Sequence, residues 1–132
     1  MIALLWGKIF SSPTRKISVL IVDDEEDIRM IVRGLLEGDR FGPIWEAADG
    51  EEALDAAYRY QPDLIVLDYM IPKLDGESVA KGLRILAPKA KVLVLSGILK
   101  STPEWADGFL AKEDVARLRH VLDTAFGPRG GW

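Results

Sequence analysis

Short apolar runs alternate with amphipathic stretches of helical period along most of this chain, and nothing else in it constrains the fold as strongly. Residues 17–22 form a β-branched run, and residues 25–37 then carry Ile28, Ile31, Val32, Leu35 and Leu36 on one helical stripe. A weaker run, 44–47, follows Phe41-Gly42-Pro43. The next helical stretch, 51–60, places Ala53, Leu54, Ala57 and Tyr58 together and stops at Gln61-Pro62. The pattern repeats with a run at 64–67, a stripe at 77–86, a run at 92–95, a shorter one at 109–111 and a last stripe at 114–126 that ends at Gly127-Pro128. Strands that are apolar throughout are buried on both faces, and strands interleaved with helices form a parallel sheet between helical layers. The expected class is α/β, a doubly wound parallel sheet of five strands.

The chain has 132 residues, enough for one domain that buries about two-thirds of its unfolded surface without metal or disulfide staples. We divide it into an arm (1–16), a domain (17–126) and a tail (127–132). A net charge of −4 argues against nucleic acid as a partner, because gripping a phosphate backbone takes a basic face. With no cysteine, a thiol nucleophile, a cysteine zinc site and a disulfide framework are excluded. No apolar run reaches the 18 or so residues of a membrane span, so a cytoplasmic location is expected. In the arm, Ile2, Leu5, Trp6 and Ile9 have the spacing of one helical face, so the arm is expected to dock on its own domain or on a second copy, with a weak membrane-surface anchor helped by Lys8, Arg15 and Lys16 as the alternative. A homodimer through the arm or the last helix is therefore among the partners the sequence allows.

The chemistry collects at the C-terminal ends of the runs. The first ends in Asp23-Asp24, the third in Asp68 and the fourth in Ser96, while the fifth leads to Lys112. In an open parallel sheet these ends point into one crevice, at the place where the strand order reverses. In the order 2-1-3-4-5, Asp23, Asp24 and Asp68 meet there with Ser96 and Lys112 beside them. The second run ends in Ala47-Ala48, an edge strand outside the crevice. Carboxylates sharing a crevice repel unless a cation intervenes, and an all-oxygen set suits Mg²⁺, with Mn²⁺ as a substitute. An aspartate beside Mg²⁺ and an ammonium is a nucleophile suited to phosphorus. The acidic run 23–27 also reads as a solvated helix start. His120, the lone histidine, reads as a surface residue.

Val19-Leu-Ile-Val-Asp-Asp24, Leu64-Ile-Val-Leu-Asp68-Tyr-Met-Ile-Pro72-Lys-Leu-Asp-Gly76, Val94-Leu-Ser96-Gly97 and Phe109-Leu-Ala-Lys112 together resemble a response-regulator receiver domain of two-component signalling. The resemblance covers residues 17 to about 126 and implies a flavodoxin-like fold. It implies that Asp68 is the phosphoacceptor for a sensor histidine kinase or phosphotransfer protein. It further implies Mg²⁺ on Asp23, Asp24, Asp68 and the Met70 backbone carbonyl, phosphoryl contacts from Ser96 and Lys112, and a switch through Ser96 and Phe109. The function expected is a phosphoacceptor switch of partner binding, not a turnover enzyme, with an unknown downstream protein. The alternative is an interaction module of the same fold that does not use phosphorylation. The expectation is a single receiver without an output domain, which acts by changing what it binds or by passing the phosphoryl group on.

Three details refine that expectation. Glu113 follows Lys112 where the family usually has proline, which makes a cis bond there very costly. Met70 and Ile98, two residues after Asp68 and Ser96, cannot strongly hydrogen-bond an attacking water and are the candidates for controlling water access. Only twelve residues separate Ser96 from Phe109, bracketed by Gly97 and Gly108 and interrupted by Pro103. A shortened fourth helix is expected there, of at most one or two turns around Pro103 to Ala106, with Thr102 as its cap.

Overall fold

A computed structural model describes residues 15–126 apart from Asp39 and Leu74. The arm through residue 14 and the tail 127–132, with the docking and dimer readings attached to the arm, lie outside the described residues. The elements are β1 (Ile17–Val22), α1 (Glu26–Leu36), β2 (Phe41–Ala47), α2 (Gly50–Tyr60), β3 (Leu64–Asp68), α3 (Gly76–Leu86), β4 (Lys91–Ser96), β5 (Gly108–Ala111) and α4 (Leu118–Phe126), with a 3-10 segment (Lys112–Arg117) before α4. The five strands are parallel and lie in the order β2-β1-β3-β4-β5.

The buried residues divide into two layers, one on each face of the sheet. Along β1, Leu20 and Val22 join one layer while Val19 and Ile21 join the other. The first layer holds Ala53, Ala57, Val79 and Leu83 from α2 and α3, and the second holds Val32, Leu36, Leu118 and Leu122 from α1 and α4. A strand segment that serves two cores must be apolar at every position, which is why residues 19–22, 64–67 and 92–95 appear as unbroken apolar runs. Among the described residues no helix is long and apolar enough to cross a membrane.

Three local expectations change. β2 begins at Phe41, three residues before the run starting at Ile44, because buried Phe41 pairs with Ile17. The register shifts between Ile17 and Val19, and Pro43, which has no N–H to give a ladder, sits on this edge strand where that costs little. The last stripe is not one helix from residue 114. A 3-10 segment comes first, kinked at Asp114 (φ −103°, ψ 18°), and α4 starts at Leu118. The crossover from β4 to β5 contains no helix at all, only a turn closed by Ala106 N–H donating to the Pro103 carbonyl (3.1 Å). Arg84 on α3 replaces its anchoring, donating to the Trp105 carbonyl (3.1 Å) and to Asp107 Oδ2 (2.9 Å). Asp107 Oδ2 also accepts the Val92 N–H (2.8 Å), so the crossover is held by side chains where helical hydrogen bonds would otherwise serve.

Gly76 is required for space. A Cβ there would lie 2.6 Å from the Tyr69 carbonyl oxygen, which accepts the Gly76 N–H at 3.1 Å. The close approach of the α3 start to the loop after Asp68, and not a left-handed backbone, is what demands glycine here. Gly76→Ala is expected to lower stability by about 2 kcal/mol, since backbone overpacking has no flexible side chain to move aside. Chemical denaturation checks it, and a change below about 0.5 kcal/mol would contradict the close contact.

Candidate functional site

β1, β3 and β4 end side by side, and a polar residue that is nonetheless buried closes each: Asp23, just after β1, is 1% exposed, Asp68 3% and Ser96 1%. Lys112, the residue after β5, reaches back across these ends. Its Nζ lies 3.2 Å from Asp68 Oδ2, 3.3 Å from Asp23 Oδ2 and 3.8 Å from Glu25 Oε1. The Lys112–Glu113 bond is trans, since among the described residues the cis bond is Gly42–Pro43. Lysine thus reaches the acids without the proline that usually follows it in the resembling family.

Each acid is also tied to local backbone. Asp23 Oδ1 accepts the Glu25 N–H (2.9 Å), and Asp68 Oδ1 accepts the Met70 N–H (3.2 Å). Asp23 Oδ2 is buried and takes no well-directed hydrogen bond, leaving the ion pair with Lys112 as its compensation. Burial, followed by the neighbouring charge of Asp23, pushes the Asp68 carboxyl up to about 6, against the Met70 N–H and the Lys112 ammonium that pull it down. Burial also raises Asp23, against the Glu25 N–H and Lys112. Burial lowers Lys112, but the Asp23 and Asp68 charges outweigh it and hold the ammonium protonated well above neutrality.

The carboxylates of Asp23, Asp24 and Glu25 each offer an oxygen, all within 4.8 Å of one another. A buried carboxylate oxygen lacking a hydrogen bond, beside two exposed carboxylates open to water, fits a hard divalent cation that keeps several waters. Glu25 is the member that sequence reasoning missed, because the acidic run 23–27 also reads as a solvated helix start. Asp68 reaches the cluster through the shared Lys112.

Ser96 Oγ accepts two N–H groups, from Ile98 (3.0 Å) and Leu99 (2.9 Å). A hydroxyl has two lone pairs and one hydrogen, so both lone pairs are used and the hydrogen remains to be donated. Met70 and Ile98 are exposed, Phe109 is half-buried on β5, and His120 is exposed on α4. Tyr69, next to Asp68, stacks on Trp105 with ring centroids 6.2 Å apart and planes 8° from parallel. The loop after Asp68 is pinned at its far end by Lys73, whose Nζ lies 3.1 Å from Asp49 Oδ2. The arrangement offers one buried carboxylate oxygen beside an ammonium, a neighbouring set of oxygen ligands and a free hydroxyl hydrogen.

BvgA of Bordetella pertussis, a putative positive transcription regulator of virulence factors, is 36% identical over 120 residues, spanning 86% of this chain and 56% of that protein. Among solved structures, the CheX–CheY–BeF3–Mg complex from Borrelia burgdorferi superposes with a TM-score of 0.73 at 27% identity, covering 83% of this chain and 89% of that one. A Burkholderia pseudomallei response regulator carrying a phosphorylated aspartic acid, a calcium ion and citrate superposes at 0.70 with 28% identity, covering 83% and 68%. The chain spans 24–56% of the length of its leading curated relatives. The family model of the response regulator receiver domain matches residues 19–123, from within β1 into α4. By that match, and by the sheet order that accompanies it, the chain belongs to the response regulator receiver domain family.

Proposed function

We propose that this chain is a phosphoacceptor switch in which Asp68 takes a phosphoryl group from the phosphohistidine of a sensor histidine kinase or phosphotransfer protein. The observation that carries this is the buried Asp68 carboxylate at the end of β3, 3.2 Å from the Lys112 ammonium and beside the Asp23–Asp24–Glu25 cluster. A carboxylate oxygen of Asp68 forms the new bond to phosphorus while the phosphorus–nitrogen bond of the donor breaks, and the imidazole leaves with that electron pair. Asp23, Asp24 and Asp68, with the Met70 carbonyl, would hold Mg²⁺, or Mn²⁺ in its place, which neutralises phosphoryl oxygens when bound. Lys112 adds a fixed positive charge on the same side, and Ser96 donates its remaining hydrogen to the attached phosphoryl group. Met70 and Ile98 limit the water that reaches it. Ser96 and Phe109 carry the change of state outward to a downstream protein, and with a net charge of −4 we place the partners among proteins, not nucleic acid.

Incubation with a small-molecule phosphodonor and Mg²⁺, followed by intact-mass measurement, tests this reading. A phosphate-sized adduct is expected in the wild type and none in Asp68→Asn. An unmodified wild type would favour the phosphorylation-independent interaction module. A second readout uses the stacked pair: Trp105 fluorescence should change on adding a phosphoryl mimic and Mg²⁺ to a chain carrying Trp6→Phe, Trp45→Phe and Trp132→Phe. Tyr69 is bonded directly to Asp68, so movement there alters the ring packed on Trp105. A silent Trp105 with Asp68 occupied would show that this crossover does not report the switch.

A further inference from the structure

Arg29 on α1 is the cationic side chain that grips the backbone of the acidic cluster. Its Nη1 donates to the Asp23 carbonyl at 2.7 Å, and its Nε donates to Glu46 Oε1 at 2.9 Å. The Arg29 side chain as a whole is only 16% exposed, so these bonds compete with little water. Glu46 lies on edge strand β2, paired with Ile21 two residues before Asp23. Its second oxygen accepts from Arg33 Nε at 2.8 Å, and Arg33 also donates to the Ile44 carbonyl at 2.9 Å. Burial works against the Glu46 charge, but the two guanidinium groups outweigh it and hold the carboxyl below its usual range. Edge strand β2, which the sequence places outside the crevice, thus carries an ionised anchor for a residue that touches the site.

We infer that Arg29, oriented by Glu46, is a positioning residue for divalent-cation binding: it fixes the peptide joining Asp23 to Asp24 and thereby the start of both carboxylate side chains. This rests on the reading of Asp23 and Asp24 as cation ligands. The Asp23 carbonyl belongs to that peptide, and Asp23 Oδ1 is already held by the Glu25 N–H. Constraints at both the main-chain and the side-chain end of Asp23 leave its carboxylate little freedom. Mg²⁺ demands near-octahedral geometry at short distances, so small errors in ligand placement are costly, and loss of supporting contacts around metal ligands typically weakens binding about 10- to 100-fold. Charge alone predicts the opposite sign. Removing a cation near a cation site relieves repulsion and should tighten binding.

The test is a calorimetric Mg²⁺ titration of the full chain, paired with thermal melting in chelator, for the wild type, Arg29→Met, Arg29→Lys and Arg33→Met. Arg29→Met is expected to weaken Mg²⁺ binding about tenfold despite losing a positive charge. Arg29→Lys keeps the charge but cannot make both directed bonds, and should also weaken it. Arg33→Met removes the other guanidinium from Glu46 without touching Asp23, and should bind Mg²⁺ within about twofold of wild type even if it melts as low as Arg29→Met. Unchanged or tighter binding in Arg29→Met, or equal weakening in Arg33→Met, would overturn the inference while leaving the site reading intact. A wild type that binds no Mg²⁺ would overturn both.

Discussion

Asp68→Asn should melt higher than the wild type in metal-free buffer at pH 7.5. The Asp68 carboxyl stands at about 6 in the folded chain against an ordinary 3.8, with burial the leading cause and the Asp23 charge next. A carboxyl raised by folding binds its proton more tightly in the native state, so its contribution to stability is greatest in acid and is lost as pH rises from about 4 to about 6. Above that window the ionised group costs up to about 3 kcal/mol, from roughly two pK units at 1.36 kcal/mol each. Lys112 loses one of its two buried carboxylate partners in the variant, which returns part of that gain. We expect a net gain of about 1–2 kcal/mol, or roughly 4–8 °C for a domain of this size. The gap should narrow on acidification toward pH 4.5. Saturating Mg²⁺ should close or reverse it, because the ion binds the native state and not the unfolded one, and the variant has lost one of its carboxylate ligands. A variant melting several degrees lower in chelator at pH 7.5 would contradict the account of the buried acids.

Asp24→Ala should weaken Mg²⁺ binding by at least about tenfold, a loss of about 1.4 kcal/mol or more. The variant removes an exposed carboxylate from the group of three whose oxygens lie within 4.8 Å of one another. Deleting a ligand should cost no less than deleting a contact that supports one. Glu25→Ala, which takes the third carboxylate from the same group, should fall between Asp24→Ala and wild type. Glu26→Ala and Asp27→Ala, in the same acidic run but outside the group, should stay within about twofold. Equal titrations for Asp24→Ala and wild type would remove Asp24 from the ligand set. Equal losses at all four acids would show that general charge, and not placement, attracts the ion.

The order of elements, the sheet class and the meeting of Asp23, Asp68, Ser96 and Lys112 were legible in the sequence, because they depend on local periodicity and on which residue closes each apolar run. Residues 19–22, 64–67 and 92–95 appear as unbroken apolar runs since each serves two cores, and the residues that follow them, Asp23, Asp68 and Ser96, open into the crevice. The missing crossover helix was legible in part: twelve residues and a proline left no room for a long one, but the Arg84–Asp107 anchoring that replaces it joins residues 23 positions apart. What only the tertiary structure decided is set by lateral neighbours, which a periodicity cannot name. Gly76 is forced by a carbonyl seven residues earlier, and Glu25 joins the acids because the chain turns at Asp23. Glu46 looks like an ordinary polar residue of an edge strand until parallel pairing sets it beside Ile21, within reach of Arg29 and so of the Asp23 carbonyl. Period and composition act over a few residues, whereas these contacts exist only once the sheet has brought separate segments into register.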